Sequence, residues 1–205
     1  MTDNLVTKTI DWIVDVGVNG LGFLPSAQNV AEHHRKACKT TEEAIASVIA
    51  WRTAYATGTG FITGFGGIAT LPIAIPTSLA SSYALGANTA AAIAILRGYD
   101  ENSDQVRTFV LLSLVGEGGI EILRTAGVTI GTKVTQNIIR QIPGKVLIEI
   151  NKKVGFRLVT KAGEKGVVNL MKLVPLLGGV VGAGFDSTFV NICGKNAKNL
   201  FISIE

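Results

Sequence analysis

Residues 58–96 read "GTGFITGFGGIATLPIAIPTSLASSYALGANTAAAIAIL". The fold turns on whether this stretch is a phosphate cradle, a membrane segment or the tight centre of a helical core. It belongs to a run of 44 residues, Thr53 to Leu96, without Asp, Glu, Lys, Arg or His, closed at its ends by Arg52 and Arg97. Pro72 and Pro76 divide the run, because proline cannot continue a helix interior. The piece beyond them, residues 77–96, would span about 30 Å as a helix.

A phosphate loop needs backbone N–H groups converging on one anion, between a strand and a helix, with a lysine for charge. Gly58, Gly60, Gly64, Gly66 and Gly67 match neither dinucleotide nor P-loop spacing, and no lysine lies among them. Glycines four apart, Gly60 and Gly64, instead let two helices approach closely. Gly66 and Gly67 supply a bend, and Thr77 is placed to cap the next helix. Nucleotide binding is therefore disfavoured.

As a lone membrane span, residues 77–96 are marginal. Leu79, Leu85, Ile93, Ile95 and Leu96 each favour insertion by roughly 0.3–0.6 kcal/mol, and the sum of about 2–3 kcal/mol is largely offset by the Ser, Thr, Asn88 and Gly86 positions. Ala80, Ala84, Ala87 and Ala91 form a small-residue stripe at helical spacing. Three uses stay open: a buried core hairpin, a membrane-contacting or conditionally inserting hairpin, and a homo-oligomer interface.

The rest of the chain narrows the class. At 205 residues it is long enough for one sizeable core. Its charged fraction of 17% lies below the roughly 25% of typical soluble domains, and its mean hydropathy is +0.40. Residues 1–119 carry seven Lys/Arg against ten Asp/Glu, whereas residues 120–205 carry twelve against five. A basic half without interleaved aromatics points to anionic lipid or an acidic partner and away from nucleic acid. Cys38 and Cys193 fit no metal spacing and suit a reducing compartment. The N-terminus lacks the charge and apolar run of a secretory signal.

Helical signals recur throughout. Leu5, Ile10, Ile13 and Val14 form one stripe; Ser26 caps a short helix ending about Cys38; Thr40 and Glu43 form a capping box before a helix whose apolar positions are Ile45, Val48, Ile49 and Trp51. Ser103 or Asn102 caps the helix after the "RGYD" turn. A further helix is expected over roughly 120–140. No sustained period-two alternation and no repeat is present. The reading is all-α: a single compact helical domain over 1–205, with N-terminal helices in 1–57, a central glycine/alanine-rich apolar hairpin in 58–97 and basic C-terminal helices in 98–205.

The run "TGFITGFGGIATLPIAIPTSLASSYALGANTAAAIAILRGYD", closing on Arg97, Gly98, Tyr99 and Asp100, resembles the EcsC-like family. The C-terminal "INKKVGFRLVTKAGEKGVVNLMKLVPLLGGVVGAGFD" with "GKNAKNLF", and "GLGFLPSAQNVAEHH" near the start, look like other signatures of that family, so the similarity covers nearly the whole chain. The resemblance implies an α-helical, membrane-associated or membrane-proximal accessory protein; the family is named for a protein encoded beside subunits of a transporter. It supplies no catalytic residues.

Candidates for chemistry are sparse. "EHHRKAC" brings together Glu32, His33, His34 and Cys38, but a metal needs three or four ligands and the chain has no other histidine; a solvated helix end explains the run. Asp100, Glu101 and Asp104 read as a turn and cap. Glu117 and Glu121 are the best paired carboxylates, yet the glycines between them argue against a shared helix face. No cofactor and no metal is expected, and nothing asks for catalysis. Between Lys145 and Lys165 lie six Lys/Arg and two Glu. Leu147, Ile150, Val154 and Leu158 recur at helical spacing, leaving Lys152, Lys153 and Arg157 towards other faces, with Lys161 and Lys165 beyond; Gly155 and Gly163 interrupt the helix. Such a helix can lie on anionic lipid.

These observations lead to two expectations. The first is a non-enzymatic accessory protein, cytoplasmic and peripheral to or conditionally inserted in the inner membrane, with anionic lipid or a membrane protein as partner. The second is a soluble helical protein enclosing a lipid or other apolar ligand, with a hydrolase or transferase acting on that ligand as one form of it.

Overall fold

A computed structural model of the chain describes residues 3–57, 77–116, 118–128, 136–163 and 183–202. These form α1 (Asp3–Asn19), α2 (Ala27–Ala37), α3 (Thr41–Thr57), α4 (Thr77–Leu96), α5 (Asp104–Leu114), α6 (Gly118–Thr125), α7 (Gln136–Arg140), α8 (Gly144–Gly163) and α9 (Ala183–Leu200). Among the described residues there is no strand, and one isolated bridge joins Leu21 to Leu24. The all-α reading holds. Gly60, Gly64, Gly66 and Gly67, and with them the first limb of the expected hairpin, lie outside the described residues.

Helix boundaries follow local chemistry. The Ser26 hydroxyl accepts from the Asn29 N–H at the start of α2. Before α3, the Glu43 N–H donates to Thr40 Oγ1 at 3.2 Å while the Thr40 N–H donates to Glu43 Oε2 at 3.3 Å, a reciprocal capping box. Ser103 caps α5 through the Val106 N–H. At the end of α4, Gly98 has φ +82°, the Tyr99 N–H reaches the Ala94 carbonyl and the Gly98 N–H reaches that of Ile95. This is the pattern of a left-handed glycine C-cap.

The centre of the molecule is α4. Every residue from Leu79 to Leu96 is buried, and α1, α2, α3, α5 and α9 all pack against it. The small-residue stripe sets these approaches. A Cβ added at Gly17 of α1 would fall 2.5 Å from the Ala87 Cβ, and one at Gly86 would meet Cys193 Sγ, Leu114 Cδ2 and Phe189 Cε1 at 3.0–3.1 Å. The sequence left core, membrane and oligomer uses open; in the structure α4 is a core helix.

Three local readings are corrected. The helix expected over 120–140 stops at Thr125, because Gly127 at φ +77° caps α6: the Val128 N–H bonds the Leu123 carbonyl and the Gly127 N–H that of Arg124. Gly155 does not interrupt α8, which runs unbroken through it; it lies against α1, where a Cβ would stand 2.7 Å from Val6 Cγ1. On α3 the inward position belongs to Arg52, at 0% exposure, while Trp51 is 52% exposed.

Candidate lipid-contact face on the basic helix

The inner face of α8 is the one its spacing specifies. Leu147, Ile150, Val154 and Leu158 are buried, and the helix packs on α1 and α5. Turning about 100° per residue places Lys145, Ile148, Lys152, Phe156 and Thr160 on the outside, all exposed. Ile148 and Phe156 are large apolar side chains at 59% and 66% exposure, one turn either side of Lys152. An outward stripe that mixes cation and hydrocarbon is the composition of an interfacial helix.

The basic residues do not all share that stripe. Lys153 Nζ lies 2.8 Å from Glu149 Oε1 and 3.3 Å from Thr125 Oγ1 at the end of α6. Arg157 Nη1 is 3.7 Å from Glu121 Oε2, with Gly118 alongside; a Cβ at Gly118 would stand 2.2 Å from that nitrogen. Lys153 and Arg157 therefore fasten α6 to α8, and Gly118 makes room for the guanidinium. Lys152 alone of the three occupies the outward stripe. The side chain of Lys161, and all of Lys165, lie outside the described residues.

Beside this stripe a groove of about 370 Å³ runs between α1, α5 and α8. Ile10, Val14, Leu111 and Leu147 are among its apolar walls, with Asp11, Asp104, Arg107 and Lys152 as its charged groups. Burial pushes the Asp11 carboxyl up from its usual range, against the opposing pull of Arg107. Arg107 also lies 3.7 Å from Asp15.

The "RGYD" turn is structural. Arg97 pairs with Glu42, which also holds Lys198 at 2.9 Å, so one carboxylate joins α3, the end of α4 and α9. Tyr99 is buried, donates to the Ile202 carbonyl at 2.9 Å and packs edge-on against Phe201. Asp100 accepts from the Asn102 N–H.

The remaining sequence candidates separate. His34 is 5% exposed and its Nδ1 lies 2.9 Å from Ser47 Oγ, so the run around it is not simply a solvated helix end. Burial first, then His33 and Arg52, lower its pKa from 6.5. Among the described residues no three His, Cys, Asp or Glu are grouped to hold a metal ion. Glu117 lies outside the described residues, and Glu121 faces Arg157. Sequence reasoning missed Arg52, although its spacing from Ile45, Val48 and Ile49 marks it as inward.

The chain matches no protein-family model, no curated protein and no solved structure.

Proposed function

We propose that the protein is a non-enzymatic accessory protein of the EcsC-like kind that meets an anionic membrane surface, on the cytoplasmic side, with the outward face of α8. The observation that carries this reading is the exposed Ile148–Lys152–Phe156 stripe on a helix whose opposite face is fully committed to the core. Each basic residue near anionic lipid adds about 1 kcal/mol, and the two apolar side chains supply interfacial burial. Peripheral contact is favoured over insertion, since α4 would have to leave five packed helices before it could enter a bilayer.

Flotation with phosphatidylglycerol and phosphatidylcholine vesicles tests it. The protein should float with the anionic vesicles and less so as salt rises, because exposed charges are screened beyond about 8 Å at physiological ionic strength. Lys152→Glu and Phe156→Ser should each weaken flotation. Binding that neither change alters would remove α8 from the membrane surface.

A second reading, a soluble protein carrying an apolar ligand, is favoured by the groove between α1, α5 and α8. Lipid that co-purifies with a protein that ignores vesicles would select it.

A further inference from the structure

Arg52 lies on the inward line of α3 with Ile45, Val48, Ile49 and Ala56, all buried, and is itself 0% exposed. None of its three guanidinium nitrogens has a hydrogen-bond partner among the described residues. What it does have is aromatic: its guanidinium carbon is 5.4 Å from the centre of the Trp51 ring and 5.9 Å from that of Tyr55. Those two rings stack on each other at 5.6 Å, 12° from parallel.

A guanidinium removed from water normally recovers its hydration loss through a carboxylate or several acceptors. Here ring quadrupoles give only part of that return. Among the described residues no carboxylate acts on the group: burial pushes its pKa down to about 10, and Tyr55 opposes that fall. The neighbouring titratable side chain is His34, whose ring lies 6.2 Å from Trp51 and which feels Arg52 as a repelling charge. Its described neighbours are thus two aromatic rings and a histidine whose protonation it opposes. The half-exposed Trp51 ring puts solvent one side chain away.

We propose that Arg52 is the anion-binding group of a site beneath Trp51 and Tyr55, which takes a compact phosphate-type oxyanion. The planar fork of the guanidinium offers two parallel N–H donors, the geometry that two oxygens of one phosphate accept. The stacked rings fix the fork from one side, so the anion completes a pair that the fold leaves half made. Inorganic phosphate and a phospholipid headgroup carry the same chemistry, and the site is independent of any contact made by α8.

The test uses the full chain with Trp12→Phe, which leaves Trp51 as the one indole, in buffer free of phosphate and carboxylate. Inorganic phosphate in one arm and monomeric dihexanoyl-phosphatidylglycerol in the other are titrated against Trp51 fluorescence and thermal midpoint. A saturable fluorescence change with a raised midpoint is expected; a response in both arms means that free phosphate suffices, and one in the lipid arm alone means that the headgroup is the source. Arg52→Lys should weaken binding about tenfold, and Arg52→Met should abolish it while melting no lower than the parent without ligand. The proposal is overturned if neither probe binds, if binding survives Arg52→Met, or if Arg52→Met melts well below the parent in anion-free buffer, since that result would mean the protein already satisfies the guanidinium.

Discussion

The side-chain amide of Asn88 donates to the carbonyl oxygen of Gly17 at 2.8 Å, deep inside the bundle. The same nitrogen reaches the Pro25 carbonyl at 2.9 Å. One buried side chain at the middle of α4 thus satisfies the end of α1 and the turn that leads into α2. A residue that weakens the case for a membrane span becomes, in the core, the polar contact that fixes the register of α1 on α4.

Asn88→Leu leaves the buried Gly17 carbonyl and the part-buried Pro25 carbonyl without this donor, offset in part by removing an amide oxygen that itself has no partner. The net loss should be about 1–3 kcal/mol, read as a lower urea midpoint with an unchanged slope. A variant as stable as the parent would show that water or backbone shifts replace both bonds.

Gly17→Ala should cost about 1–3 kcal/mol by overpacking, because the new methyl meets the Ala87 methyl and nearby backbone. Ala87→Gly in the same chain should recover part of that loss. A double-mutant cycle with no coupling between the two positions would contradict the close approach of α1 and α4.

The folded state disfavours protonation of His34, since burial first, and then His33 and Arg52, hold its pKa below 6.5. The unfolded chain takes up a proton first as pH falls, so the contribution of His34 to stability is present above pH 6.5 and is lost on the acid side. Urea midpoints at pH 7.5 and 5.5 should fall more for the parent than for His34→Gln. Parallel falls would assign the pH dependence elsewhere.

Lys152→Glu and Arg157→Glu should behave differently. The first changes an exposed position, and should alter stability by no more than about 0.5 kcal/mol while reducing flotation with anionic vesicles. The second places a carboxylate beside Glu121 and removes the side chain seated against Gly118. Its thermal midpoint should drop, and amide exchange should quicken in α6. Equal effects on stability would mean that Arg157 does not anchor α6.

Much of this arrangement is legible in the sequence where the determining contact is local. The Thr40–Glu43 box, the Ser26 and Ser103 caps and the Leu147–Leu158 stripe each need only a few neighbouring residues, and each appears where its spacing places it. Gly127 and Gly155 show where legibility ends. Both are glycines in helical surroundings, yet one turns the chain to positive φ and the other stays helical against Val6. Gly127 sits in a local cap, whereas the contact that explains Gly155 lies in α1, far away in sequence. Trp51 and Arg52 were exchanged for a related reason: hydrophobicity nominates the indole, but helical phase from Ile45 and Val48 puts position 52 inside. The pairing of Lys153 and Arg157 with α6 depended on a helix boundary that Gly127 sets.

The enclosure of α4 also has an order in time. Its covers α1, α2 and α3 precede it in the chain, whereas α9, which supplies Phe189 and Cys193 against Gly86, is made more than eighty residues later. At about 5–20 residues per second, a nascent chain carries that flank of an apolar helix uncovered for several seconds. A chain released early would present the apolar surface that the finished bundle hides.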